Sequence, residues 1–484
     1  MNLQQLQPTS LWKHFENLCT IPHTSKNEQG VGEYVKSVAD SLGLEYKTDS
    51  AGNIVVLKPA SATMDHLPIV TLQGHLDMVP QKESGSTHDF HKDPIKPYVD
   101  GQWVKARGTT LGADNGIGVA CALALLEDKE IKHGPLEALF TVDEEDGMTG
   151  AQNIEPNFLS GDILINLDSE RDGELCIGCA GGIDGRVTME LTTLSPKITG
   201  SSALNIVVTG LKGGHSGLDI DLGRGNAIKI LGRLLYNADE AIGIEIADFE
   251  GGTVRNAIPR EAHSTIVVEE QNREALKSYC AKFETQVRYE LQNTDPGVEI
   301  VVKDCDSLPI EVFSKDLKER YIRVLYASPA GVYKDRGLEG DAVLTSGNLG
   351  VVEINDSTIT MLFLLRSSID SSRDDICATL KSVSDLAGAA IEFSGSYPGW
   401  QPQPESKIVR TMQKTYSSLF SKEARLAVVH AGLECGIIKS KYPSMEMVSC
   451  GPDIRNAHSP DESVNIVSVE RFWNLLTKTL SSIE

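Results

Sequence analysis

Leu136-Glu137-Ala138-Leu139-Phe140-Thr141-Val142 runs without a spacer into Asp143-Glu144-Glu145-Asp146-Gly147. The first seven residues have the length and apolar character of an internal strand. Four successive acids repel one another, and alone they describe a solvated turn. At the end of a buried strand they point to a site, because α/β sheets bind ligands beyond their strand ends. The flanking sequence has a matching texture. Residues 53–57, 67–72 and 162–167 read as further strands, and residues 11–18, 30–42 and 113–126 as helices. Strands alternating with helices predict an α/β fold, a mostly parallel sheet with helices on both faces.

The pattern changes after Gly181-Gly182-Ile183-Asp184-Gly185. Residues 205–209 and 263–269 read as alternating strands. Residues 227–236 and 274–291 read as helices, the second carrying Leu276, Tyr279, Phe283, Val287 and Leu291 at steps of three and four. This predicts an inserted α+β domain with an antiparallel sheet. The stretch 394–404 (SGSYPGWQPQP) is dense in Gly and Pro and marks a second break. Strands at 426–429 and 445–449 and a helix at 467–480 follow it. The predicted organisation is a catalytic domain of residues 1–184 and 399–484, interrupted by a lid of residues 185–398.

Composition narrows the partners. Over 484 residues, Lys plus Arg number 45 and Asp plus Glu 68, a net charge of −23. That balance argues against nucleic acid or an anionic membrane as the main partner. The apolar run Val119 to Leu126 is eight residues, well short of the ~20 that cross a bilayer. The N-terminal stretch has no basic and apolar leader pattern, and nine scattered cysteines suit a reducing compartment. A cytoplasmic location is the expectation. Cys176-Ile177-Gly178-Cys179 lacks the second pair that a zinc ribbon needs and reads as two buried thiols.

Five short segments carry chemistry. Gly74-His75-Leu76-Asp77 follows an apolar run, and residues two apart in a strand share a face, so Asp77 can orient His75. Gly112-Ala113-Asp114-Asn115-Gly116 sets an acid at a helix start. Glu144 and Glu145 follow one strand, and Asn166-Leu167-Asp168-Ser169-Glu170 closes another. His458 lies in Arg455-Asn456-Ala457-His458-Ser459-Pro460-Asp461-Glu462. Imidazoles and carboxylates at the ends of predicted elements suit divalent zinc, manganese or cobalt. With His75, Asp114, Glu145, Asp168 and His458 as ligands, three negative charges meet the four positive charges of two ions. A bridging hydroxide brings the site to neutrality, the balance of a two-metal hydrolase.

Together HLD, GADNG, DEEDG, LDSE and the late NAHSPDE resemble the aminoacylase/carboxypeptidase-G-like dinuclear metallopeptidases. The likeness is greatest to the aminoacyl-histidine dipeptidase branch. LKGGHSG at 211–217, GRGNA at 223–227, RNAIPR at 255–260 and HAGLECG at 430–436 extend it over nearly the whole chain. The resemblance implies that Asp114 bridges two ions, His75 and Asp168 completing one shell and Glu145 and His458 the other. It implies that Asp77 supports His75 and that Glu144 is general base on a metal-bridging water. His215 would stabilise the oxyanion, often from the partner subunit of a homodimer formed through the lid. Arg366 would clamp the substrate carboxylate, for which a guanidinium is suited. Asn256 would assist, and Glu434 would meet the substrate amine. The implied reaction is hydrolysis of dipeptides, Xaa-His and carnosine-like ones included. An N-acyl-amino-acid deacylase, a tripeptidase or an inactive metal-binding interaction protein are the competing readings.

Overall fold

The computed structural model describes residues 3–196, 200–335 and 343–484, and the counts that follow are of these residues. The chain forms two compact units. One comprises the residues up to Gly178 with Trp400–Val428 and Leu433–Glu484; the other comprises Cys179–Gly399 and Val429–Gly432.

The main sheet of the first unit has eight strands among the described residues. Their order is Glu45–Thr48, Ile54–Lys58, Leu136–Thr141, Val70–His75, Ile163–Asn166, Glu446–Ser449, Glu174–Cys179 and Arg425–Val429. The four strands from Leu136–Thr141 to Glu446–Ser449 are parallel. Antiparallel neighbours flank them on both sides, so the sheet is mixed with a parallel centre. Every residue of Leu136–Thr141, Val70–His75 and Ile163–Asn166 is buried. Burial on both faces is why these strands read as continuous apolar runs rather than alternating ones. The strand expected from residue 67 begins at Val70, because Pro68 has no N–H to offer a ladder. It then runs to His75.

The helix Ala113–Glu127 is apolar on nearly all sides and is buried from Asn115 to Leu126. It packs on the helix Thr9–Cys19 and on the strand Val70–His75. Its approach to that strand is close: a Cβ added at Gly74 would lie 2.3 Å from Asn115 Oδ1. A smaller four-stranded sheet orders Ile454–Arg455, Ser463–Asn465, Trp103–Ala106 and Pro97–Asp100. Its strands are two to four residues long, too short for a period-two pattern to stand out. The pairing of Ile454 with Val464 and Arg455 with Ser463 pins both ends of the loop that contains His458.

The second unit has nine strands in one sheet among the described residues, and its pairings are antiparallel. The helices Ala227–Ile242, Arg273–Glu290, Lys315–Ala327 and Asp370–Leu386 supply apolar residues to its core. Asp295, fully buried, accepts the backbone N–H groups of Lys212 and Gly225 at 2.8 and 2.9 Å. It thereby ties the two glycine-rich segments LKGGHSG and GRGNA together. The cysteines are free, Cys176 and Cys179 both buried, and no described helix is long and apolar enough to cross a membrane.

The contact between Gly74 and Asn115 predicts the effect of one methyl group. Gly74→Ala is expected to lower stability by about 1–3 kcal/mol through overpacking, read as a lower midpoint in urea. A midpoint equal to that of the parent would contradict the close approach.

Candidate metal centre

Parallel neighbours end at the same edge of a sheet, and here three of them deliver acids or an imidazole to it. Val70–His75 ends in His75, Leu136–Thr141 leads to Glu144 and Glu145, and Ile163–Asn166 leads to Asp168. Asp114 stands at the start of the helix Ala113–Glu127, and His458 comes from the loop held by the small sheet. The five side chains meet. Asp114 Oδ1 lies 3.2 Å from His75 Nε2, and Asp114 Oδ2 lies 3.2 Å from His458 Nε2. Asp168 Oδ1 is 3.3 Å from His75 Nε2, and Glu145 Oε1 is 3.1 Å from His458 Nε2. The cluster therefore has two halves, one imidazole and one carboxylate each, that share the Asp114 carboxylate. Donor atoms of His75, Asp114 and Glu145 all lie within 4.8 Å of one another.

Asp77 organises this edge from behind. His75 Nδ1 donates to the Asp77 backbone oxygen at 3.0 Å, with Asp77 Oδ1 at 3.4 Å. A carbonyl only accepts, so the Nε2 side of the ring faces the carboxylates. The strand stops at His75, so the two residues meet where the chain turns beyond it rather than on a common strand face. The Asp77 carboxylate also accepts the N–H groups of Glu144 and Glu145 at 3.0 and 3.1 Å and the Ser25 hydroxyl at 2.8 Å. One buried acid thus orients both the imidazole and the acidic turn. Asp143, with φ of 55°, gives its N–H to Glu28 at 2.9 Å.

Glu434 begins the helix Glu434–Lys441, yet it is 1 % exposed. Its Oε2 accepts from Gln73 and Thr141, each at 2.7 Å. Gln73 in turn accepts from Asn166 at 2.6 Å, and Asn166 accepts the Asp168 N–H at 3.2 Å. The network links Glu434 to the Asp168 backbone across three strands. His458 has a left-handed backbone, φ 62°, a conformation that costs a non-glycine residue about 1–3 kcal/mol.

Crowded acids perturb one another. Burial pushes Glu144 well above the usual carboxylate range, and Glu145, Asp168 and Glu434 add to this against the pull of His75. Burial raises Asp168 to about 7 although His75 opposes it. Burial likewise raises Glu434 to about 7 despite the Thr141 hydrogen bond. Asp77 is the reverse case: burial would raise it, but the His75 imidazole and the N–H and O–H donors hold it at about 2. Burial would lower His458, yet Asp114 and Glu145 hold it up at about 11. His75 is raised as well, Asp168, Asp114 and Asp77 outweighing its burial. Two buried acceptors, Glu145 Oε1 and Asp168 Oδ1, face only the imidazole nitrogens of His458 and His75 and meet no well-aligned donor. Orphaned carboxylate oxygens facing imidazole nitrogens are what a divalent cation satisfies, and N/O donors are the chemistry of zinc, manganese and cobalt sites. The residues fit a pair of such ions.

His215, Asn256 and Arg366 belong to the second unit. His215 Nδ1 accepts the N–H groups of Gly217 and Leu218 at 3.2 and 3.0 Å. The neutral ring then carries its proton on Nε2. Asn256 is exposed, and its backbone oxygen accepts the Ser216 N–H at 2.8 Å. Arg366, on the strand Thr358–Ser367, is 4 % exposed, so it does not face water as a strand-end charge would. Its Nη1 donates to the Tyr397 hydroxyl at 2.7 Å, and its buried Nε has no hydrogen-bond partner. Ser346 lies across from it and sits 2.7 Å from His430 Nε2. Tyr397 and Ser346 carry no motif. Glu462 was within reach as the last residue of NAHSPDE, but an acid in a loop signals no particular partner.

Residues 71–482 match peptidase family M20/M25/M40. The chain belongs to this family. It is 45 % identical over 481 residues to a cytosol non-specific dipeptidase of Escherichia coli (strain K12), covering 99 % of each chain. The crystal structure of aminoacylhistidine dipeptidase from Vibrio alginolyticus superposes with a TM-score of 0.89 at 43 % identity, over 100 % of this chain and 98 % of that one. Aminopeptidase PepT from Bacillus cereus shares the fold at a TM-score of 0.57 and 16 % identity, over 99 % of both chains. The peptidase-family fold and its mixed α/β architecture therefore stand on sequence and structure alike.

Metal uptake by this M20 cluster has a predicted proton signature. The neighbouring carboxylates raise the proton affinity of both imidazoles, and a cation needs their lone pairs. Binding is expected to release protons, and affinity to fall as pH falls. Calorimetry in two buffers of different ionisation heat checks this; uptake with no buffer or pH dependence would contradict it.

Proposed function

We propose that the protein is a dinuclear-metal dipeptidase that hydrolyses Xaa-His dipeptides, carnosine-like ones and other dipeptides. One observation carries the reading: a single carboxylate, Asp114, faces two imidazole–carboxylate pairs at 3.2 Å on either side. His75 and Asp168 would hold one ion and Glu145 and His458 the other, with Asp114 shared. Zinc is the favoured metal, and manganese or cobalt suits the same donors. When bound, such ions polarise a carbonyl and lower the pKa of water.

The remaining roles fall to this chain's own groups. Glu144 is kept outside the ligand set, next to Glu145. It takes the proton of the attacking water and delivers it to the leaving amine; its raised affinity for a proton supports that cycle. Asp77 fixes His75 and the turn bearing Glu144. His215 directs Nε2–H to the carbonyl oxygen as negative charge develops there, a donor of the kind worth ~2.7–4 kcal/mol. Arg366, with Tyr397 at its tip, receives the substrate carboxylate, and Asn256 assists. Glu434 receives the substrate amine through Oε1, which has no hydrogen-bond partner. Needing a charged partner at both substrate termini limits peptide length. The second unit serves as lid and dimerisation domain; exposed Leu218, Leu222 and Val254 on it support a homodimer. Free cysteines and the strongly acidic balance support a cytoplasmic location.

Hydrolysis of carnosine, other dipeptides, tripeptides and N-acetyl amino acids, assayed before and after chelation, tests the reading. Dipeptides should be cleaved fastest, and chelation should abolish turnover. Preference for N-acetyl amino acids or tripeptides, or activity that survives metal removal, would overturn it. Glu144→Gln is expected to retain metal and lose turnover by at least ~10²-fold. More than about a hundredth of the parent rate would remove Glu144 from the role of base.

A further inference from the structure

Glu462 occupies a position that none of the roles above uses. It is 2 % exposed and lies four residues after His458 in the same loop. Its carboxylate accepts four consecutive backbone N–H groups: Leu111 at 2.7 Å, Gly112 at 2.9 Å, Ala113 at 2.8 Å and Asp114 at 3.3 Å. These are orphan donors at the start of the helix Ala113–Glu127, which has no side-chain cap of its own at Gly112. Each oxygen of the carboxylate serves two adjacent amides, so the backbone that presents Asp114 is gripped up to Asp114 itself.

The other end of the grip is the His458 loop. Glu462 N–H donates to the Ser459 oxygen at 3.0 Å, and the Ser459 hydroxyl donates to the Asn456 oxygen at 2.8 Å. These bonds close a tight turn in which Asn456 and His458 both take left-handed backbone conformations, φ 53° and 62°. The first residue after the loop's acid, Ser463, is locked into the small sheet opposite Lys105. Glu462 therefore spans the two segments that bring Asp114 and His458 to 3.2 Å from each other. They are 344 residues apart in the chain, and among the described contacts this clamp is a direct tie between their backbones.

We propose that Glu462 is a positioning residue that sets the distance between Asp114 and His458, and so the affinity of the half of the centre formed by Asp114, His458 and Glu145. His75 and Asp168 are held by different groups, Asp77 and Asn166. Asp114 serves both halves, so loss of the clamp should weaken both ions, and the one held with Glu145 and His458 more, because the His458 loop is released as well. This rests on the dinuclear reading given above.

The test is a titration of metal-free, full-length protein with cobalt(II), followed by its visible absorption and by competition with a chelator. The parent is expected to take up two ions. Glu462→Gln puts an amide NH₂ against backbone donors and should weaken one ion about 10–100-fold, the range for losing an outer hydrogen-bond partner of a metal ligand. The other ion, which loses support only at the shared Asp114, should be weakened less. The absorption of the weakened ion should also change in shape. Glu462→Asp keeps the charge one methylene short, and is read the same way if the amide variant does not fold. Two ions bound with parent affinity and spectrum, or both weakened equally, would overturn the role of Glu462 alone. A parent that binds fewer than two ions would overturn the dinuclear reading, and this inference with it.

Discussion

Asp114 is one carboxylate between two imidazoles, and its surroundings make sense only if positive charge belongs there. Around it and His75 lie Glu144, Glu145, Asp168, Glu434 and Glu462, all of which burial raises above their usual range. Packing carboxylates together away from water is expensive, and each removed charge partner increases the cost. The raised proton affinity of His75 and His458 offsets part of that cost. A pair of cations would meet it more completely and free the imidazole lone pairs for coordination. The acids are thus strained toward a ligand rather than toward one another.

The fold supplies the rigidity that such crowding needs. Parallel strands end at one edge, so turns that are remote in sequence face one another there without long excursions. Behind that edge the helix Ala113–Glu127 is buried almost all round, and the Gly74–Asn115 approach leaves it no room to slide. Asp77 and Glu462 do similar work at the centre. Each is a buried carboxylate whose oxygens accept backbone N–H groups of a segment that carries a proposed ligand. Acids outside the proposed ligand set thereby hold the backbone of acids within it.

Much of this was legible in the residues. Leu136 to Val142 reads as a buried strand because every one of its neighbours covers it, and the acids after it can only lie at the sheet edge. The helix of residues 274–291 and its apolar steps are equally plain, since a half-exposed surface imposes a period. Other features left no trace in the pattern. The strands Ile454–Arg455 and Ser463–Asn465 are too short for a period-two pattern to stand out. Tyr397 beside Arg366, Ser346 beside His430 and Glu462 beneath Asp114 are meetings between distant segments, which a single sequence does not pair. The Asp77–His75 contact is expected from a shared strand face and is made instead by a turn, because the strand ends at His75, two residues short of Asp77.

The account stands or falls on two cations sharing Asp114. Anomalous diffraction at a metal absorption edge, from crystals of the metal-loaded protein, addresses this directly. Two peaks are predicted, one in contact with His75 and Asp168, the other with Glu145 and His458, and both with Asp114. A single peak, or a pair that leaves Asp114 uncoordinated, would contradict it.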